Sequence, residues 1–285
     1  MDEREIAVLV EGSEARAYAS LVGAPAPDVR HRHGLAVHAA GAAVAVVARS
    51  AAASLNVNRI IGLGVAQAAD EALIDEWSGR YADQGLSFAV ELGPYAEPQV
   101  LSQWLRERRL RRTMVTSLHY RKAEPITVAA GAPRVIRAEG DQCERVADIC
   151  CEVFKMPQAA HEMISATARL PQWRHWLAIG DEGTVGAALS FVQDGVAWLG
   201  WDATLPAARG RGVQSALIAR RLADAAESGC DHATTETAPD TQTRPDASFR
   251  NYRRLGFRPA YERATWVRLQ RAVPAQPPHA GRVAA

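Results

Sequence analysis

The sequence predicts a mixed α/β (α+β) protein built as two units in tandem, and three observations carry that expectation. Its 285 residues exceed what one ordinary domain of about 100–200 residues needs. Short apolar segments of strand length alternate with longer segments of helical period along the chain. The alternation runs twice, on either side of residues 121–133 (RKAEPITVAAGAP), which hold two prolines, a glycine and no period.

In the first unit, residues 1–123, positions 13–22 space their apolar side chains as a helix does. Positions 29–38 and 42–49 read as extended and are separated by Ala-Ala-Gly, which suggests a hairpin. Positions 58–65 (NRIIGLGV) form an apolar strand candidate. Positions 70–84 follow as an amphipathic helix, with Leu73, Ile74, Trp77 and Tyr81 on one face and a stop at Gly85. Positions 87–92, 97–109 and 113–120 complete the unit as strand, helix and strand. The linker is placed at 124–133. The second unit, 134–272, begins with a strand at 134–137 and helices at 141–154 and 159–170. The first of these helices presents Cys143, Val146, Ala147, Cys150 and Cys151 on one face. Strands at 176–179, 185–192 and 197–204 come next. A long helix at 212–227, a strand at 233–237, a helix at 247–255 and a last strand at 257–269 close the unit. Residues 273–285 (VPAQPPHAGRVAA) are rich in proline and alanine and read as a disordered tail.

Composition narrows the function class. Hydrophobic residues make up 48% and charged residues 23%, and the formal net charge is +1, which speaks against a polyanion binder or an acidic solvating chain. Lys122 and Lys155 are the two lysines, so 31 of the 33 Lys+Arg are arginine, as a GC-rich genome would encode. The four cysteines form no CxxC pair and read as buried free thiols. The start is acidic, with no basic segment ahead of an apolar one. The longest apolar run, 35–48, is too short for a bilayer. A cytoplasmic protein without a membrane partner is the expectation. His31 and His33 would share a strand face, but no third ligand completes a metal site.

The most informative segment is 197–217, AWLGWDATLPAARGRGVQSAL. A strand leads through Pro206 into Arg209, Gly210, Arg211, Gly212, Val213, Gln214 and Ser215, where a helical pattern begins. Glycines at a strand-to-helix junction let an anion approach the main chain, and the free amides and helix dipole bind it. Arg209 and Arg211 add charge. Here the chain resembles the GNAT superfamily of acyl-CoA-dependent N-acyltransferases, whose pyrophosphate loop reads Gln/Arg-x-x-Gly-x-Gly/Ala. This chain supplies Arg209, Gly212 and, in place of the small residue, Gln214. A second segment, 247–257 (ASFRNYRRLGF), is similar to the superfamily helix that carries a tyrosine ahead of Leu-Gly-Phe; by spacing it is Tyr252. The asparagine many members carry upstream is replaced by Arg244 and Pro245.

The resemblance covers about residues 134–270 and implies two tandem GNAT-like domains, each a mixed, mostly antiparallel sheet flanked by helices. It implies acetyl-CoA as co-substrate, no metal, and direct transfer to the amine of a small or amino-acid-like acceptor in a ternary complex. The strand at 197–204 would splay from that at 233–237 and pair with pantetheine, with an amide near Ala203 or Thr204 polarising the thioester. Asn251 joins the cofactor-binding set, Tyr252 is the implied general acid, and Glu236, then Asp202, are candidates for the base. Trp198 and Trp201, three apart on one strand, should face opposite sides, one of them walling the acceptor pocket. Trp173 and Trp176 read as core. The first unit has no glycine or arginine after NRIIGLGV, and Asp70-Glu71 opens its helix where a phosphate would be repelled. It is either a degenerate GNAT-like domain or an unrelated α+β one. A non-catalytic acyl-CoA sensor is the second functional reading, and a homodimer is left open.

Overall fold

The computed structural model describes residues 1–181 and 183–269. The expected tail at 273–285 lies outside them. Helix α1 (Glu3–Gly23) opens with a capping box in which the Asp2 side chain accepts from the Glu5 amide and the Glu5 side chain from the Asp2 amide. It is longer than the apolar spacing at 13–22 predicts, because its buried face carries Glu11, Ser13 and Glu14 among the apolar residues. Helix α2 (Pro27–His33) corrects the extended reading of 29–33. Pro27 fixes the first turn and Gly34, at φ 58°, ends the helix in the left-handed region. His31 and His33 therefore share no strand face; the Nδ1 of His33 lies 2.8 Å from Ser50 Oγ.

Strands β1 (Leu35–Ala40), β2 (Ala43–Ala48) and β3 (Arg59–Ile61) follow, then α3 (Glu71–Ala82), capped by Asp70, and β4 (Phe88–Leu92). Strand β3 is shorter than expected because Gly62 and Gly64, at φ 76° and 78°, turn the chain out of the sheet. Helix α4 (Leu101–Glu107) starts late, since Glu97 is drawn into main-chain hydrogen bonds with Gly64 and Ala69. The second half comprises β5 (Arg111–Lys122), β6 (Arg134–Arg137), α5 (Gln142–Phe154), α6 (Gln158–Thr167), β7 (Trp173–Gly180), β8 (Gly183–Gln193) and β9 (Val196–Thr204). It ends with α7 (Val213–Glu227), β10 (His232–Thr237), α8 (Ala247–Arg254) and β11 (Arg258–Arg268).

The strands form one eleven-stranded sheet in the order β1-β2-β3-β4-β11-β5-β10-β9-β8-β7-β6. Among the described residues only β3/β4 and β9/β10 are parallel neighbours. The closing strand of each half is exchanged: β5 pairs with β10 of the second half, and β11 pairs with β4 of the first. The chain passes between halves at the linker, but the sheet does not break there. Helix α1 lies across the join and packs on strands from both sides. The four cysteines are free, and Cys143, Cys150 and Cys230 are buried. Among the described residues no helix is long and apolar enough to cross a membrane.

Candidate active site

Strands β9 and β10 pair only from His232↔Val196 to Thr234↔Trp198 and then diverge. Thr235 caps the divergence by donating its hydroxyl to the Leu199 carbonyl at 2.8 Å. Beyond that point the β10-facing edge of β9 has no strand partner, and a cavity of about 1110 Å³ opens along it. A bulge opposite Ala187–Leu189 lets Trp201 take φ 59°, and the extra residue shifts the alternation of side chains. That corrects the expectation for the tryptophans: Trp198 and Trp201 both line the cavity. Trp173 and Trp176 lie in the core, as expected.

At one end the cavity is floored by the loop into α7. Gly210 and Gly212 both sit at φ 76°, and a Cβ added to either would meet nothing within 4 Å. This is the geometry in which a main chain stays open to an anion at a helix N-terminus. Arg209, Gly210, Gly212, Val213, Gln214, Ser215, Thr204 and Asn251 line this space. Arg211 and Ala203 do not. Arg211 is exposed beside the loop, and Ala203 is fully buried opposite Ala187, so the polarising amide placed near Ala203 is not at the cavity surface there. Gln214 is explained by its partners: it donates to Ser248 Oγ at 2.7 Å and accepts from Asn251 Nδ2 at 2.7 Å. Arg254 donates to Ser215 Oγ and to Asn251 Oδ1, both at 2.9 Å. The long side chain at 214 thus ties α7 to α8 instead of filling the loop. Ser248 and Arg254 escaped the sequence reading, although Arg254 stands three residues after Asn251 on one helical face.

The candidate acid and base groups are held as follows. Tyr252 is 1% exposed and does not line the cavity. Its hydroxyl donates to one oxygen of Asp202, and the Arg221 guanidinium donates to the other. The proton assigned to a leaving thiolate is therefore committed to Asp202, and the Asp202 carboxylate to an ion pair. Burial, then the Asp202 charge, pushes the Tyr252 pKa well up. Arg221, fully buried, also donates to the carbonyls of Leu189 and Gly200 and so braces the bulge. A charged residue in mid-helix reads as solvent-facing from sequence, which hid it.

Glu236 reaches the cavity, with its side chain 23% exposed. Behind it, Arg263 (2.8 Å) and Arg59 (3.4 Å) pair with it and also with Glu14, while Glu91 lies 3.7 Å from Arg59 and 3.5 Å from Arg263. Burial, then the neighbouring Glu14, raises the Glu236 pKa against the pull of the two arginines. Burial lifts Glu11, at the back of this cluster, to about 7. The groups come from α1, β3, β4, β10 and β11, so sequence spacing gives no hint of them. No group of three or more His, Cys, Asp or Glu side chains among the described residues is placed to hold a metal.

Residues 143–257 match the model of the acetyltransferase (GNAT) family. The matched stretch lies in the second half of the chain, from α5 to the start of β11. The whole fold is shared with solved structures of low sequence identity. A GCN5-related N-acetyltransferase from Kribbella flavida is 18% identical, covers 93% of this chain and 94% of its own, and superposes with a TM-score of 0.63. A GCN5-related N-acetyltransferase from Sphaerobacter thermophilus is 16% identical over 94% of both chains, with a TM-score of 0.58. A tandem GNAT protein from the clavulanic acid biosynthesis pathway is 14% identical, covers 92% of this chain and 96% of its own, and gives 0.57. The sequence matches none of the curated proteins compared with it. Most residues that line the cavity described above fall within the matched stretch, with Tyr18 and Asn56 contributed by the first half and Thr127 to Ala132 by the linker.

Proposed function

We propose that the chain transfers an acetyl group from acetyl-CoA to the amine of a small molecule, with both held at once in the cavity. The observation that carries this reading is the opening of β9 from β10 beside a loop with two left-handed glycines and the exposed Arg209, which has no ion-pair partner among the described residues. Acetyl-CoA supplies an activated acyl thioester. The unpaired edge of β9 suits an extended pantetheine, as a sheet edge suits an added strand. The amides from Gly212 to Ser215, with Arg209, suit a diphosphate. Glu236 takes the proton of the incoming ammonium, and its raised pKa brings it toward the pH at which a general base works best. Tyr252 stands behind Asp202, which lines the cavity, so its proton reaches the departing thiol through the Asp202 carboxyl, and Arg221, 3.4 Å from the phenol oxygen, steadies the charge left behind.

The test is thiol release from acetyl-CoA over a panel of small amines, with acetyl-CoA affinity measured separately. Tyr252→Phe is expected to lower kcat about 100-fold while affinity holds; unchanged turnover would remove Tyr252 from the mechanism. One observation favours a second reading, a non-catalytic acyl-CoA binder: the hydroxyl of Tyr252 and both oxygens of Glu236 are engaged within the protein. Tight acetyl-CoA binding with no thiol release on any amine would decide for it.

A further inference from the structure

The cavity has two ends of different electrostatic character. Its cations, Arg209 and Arg254, both stand at the end built by the loop and α8. The other end is lined by Tyr18, Val153, Phe154, Met156, Trp198 and Trp201, with Glu236 at its floor. Behind Glu236 the carboxylates of Glu14 and Glu91 bring the total to three, against the guanidiniums of Arg59 and Arg263, while Glu11 beside them holds its proton up to about pH 7. These two arginines are 5% and 0% exposed and already paired, so they offer nothing to a ligand. Among the described residues that line this end, none is cationic.

A second, independent observation points to a ligand at the same place. Tyr18 is 6% exposed, lines the cavity, and its hydroxyl has no hydrogen-bond partner among the described residues. Its ring is held by the Arg59 guanidinium 4.0 Å above it and by the edge of Trp198 at 5.8 Å. The phenol oxygen is the part of this buried side chain left open to the cavity, where the polar group of a ligand can bond to it.

We infer that the acceptor is a primary amine without a carboxylate: a cation whose ammonium sits between Glu236 and the Tyr18 hydroxyl and whose apolar body packs on Phe154, Met156 and Trp201. This rests on the transfer reading and narrows it. A free α-amino acid would bring a second charge, of the wrong sign, beside a cluster in which carboxylates outnumber guanidiniums. At roughly 7 Å and an effective dielectric constant of about 20, one such repulsion disfavours the amino acid on the order of 50-fold.

Initial rates with acetyl-CoA and three matched acceptors, 2-phenylethylamine, phenylalanine methyl ester and phenylalanine, test this. The amine and the ester should each exceed phenylalanine by about 50-fold in kcat/KM; the ester separates charge from bulk. Acetylation of phenylalanine as fast as that of the amine overturns the inference and leaves transfer standing. A second measurement needs no turnover: calorimetric titration of the protein with CoA present, using phenylethyltrimethylammonium and then 3-phenylpropionate. Binding of the cation alone supports the inference, and binding of the anion, or of neither, overturns it. Cation binding with no turnover of any amine sinks the transfer reading while the charge selectivity stands.

Discussion

The two parallel strand pairs of the sheet, β3/β4 and β9/β10, begin alike and end differently. Each pairs over two or three residues and then opens. In the second half the opening becomes the cavity. In the first half the chain fills it: Glu97 donates its amide to the Gly64 carbonyl at 2.8 Å and accepts from the Ala69 amide at 2.7 Å. A Cβ on Gly64 would lie 2.6 Å from the Glu97 carbonyl oxygen, whereas one on Gly212 would meet nothing within 4 Å. At the following helix, Asp70 caps α3 through the Ala72 amide, placing a carboxylate where the second half leaves its amides open. An opened sheet edge has main-chain groups to satisfy. One half satisfies them with its own backbone, and the other leaves them open to the cavity.

This contrast can be broken from several sides. The largest effect should come from the carboxylate at the open edge: Glu236→Gln is expected to lower kcat about 1000-fold, with acetyl-CoA affinity retained. A steady-state comparison at saturating amine checks this, and a loss below tenfold would dismiss Glu236 as the base. Gly212→Val should weaken acetyl-CoA binding at least about 100-fold, since a branched side chain is strained at φ 76° and projects into the loop's open space. Calorimetry reads this, with Tm as the control for folding. The mirror experiment, Gly64→Ala, should destabilise the fold by about 3 kcal/mol through overpacking and a positive φ and act on stability far more than on ligand affinity. If both glycine variants moved the same observable, the contrast between filled and open edges would be wrong.

A comparable effect belongs to the buried cluster that joins the two openings. Burial holds the Glu11 pKa at about 7, above its ordinary 4.5. The fold therefore keeps a proton that the unfolded chain gives up. That contribution is complete below the unfolded pKa and is lost as pH rises through about 7. Glu11→Gln keeps an acceptor for the Tyr261 hydroxyl, which donates to Glu11 at 2.7 Å. The variant should gain on the parent by up to about 3 kcal/mol between pH 5 and pH 8, as denaturation at the two pH values would show. Equal pH dependence in both proteins would mean that Glu11 stays ionised. The smallest effect is reserved for Gln214→Ala, which removes the tie between α7 and α8 and should weaken acetyl-CoA binding by about tenfold or less.

Local features of this molecule were legible and distant ones were not. The loop from Arg209 to Ser215 could be read because its chemistry is contiguous: glycines, an arginine and a helix start within seven positions. Strands β6 to β11 fell near their expected places because their apolar runs are bounded by turns. Helix α2 was misread because residues 29–38 alternate Arg and His and then run into the apolar start of β1 without a clear period, although Pro27 and Gly34 marked both ends of the helix. The bulge at Trp201 inverted the face assigned to a tryptophan. The ion cluster was invisible, since Glu14, Arg59, Glu91, Glu236 and Arg263 meet only after the sheet has closed. Likewise, Tyr252 could be chosen by spacing, but nothing near it announced that Asp202, fifty positions earlier, would accept its hydrogen bond.

The exchange of β5 and β11 also sets a timetable for folding. During synthesis, residues 1–122 emerge with the outer edge of β4 bare, and its partner arrives only with residues 258–268. Long-range pairing of this kind is slow, and an unpaired edge invites other chains. The first half cannot close before the last strand leaves the ribosome, so the protein should become resistant to proteases in a single late step. The same strands make the halves poor candidates for separation: a cut at the linker would give each fragment the strand that the other one needs.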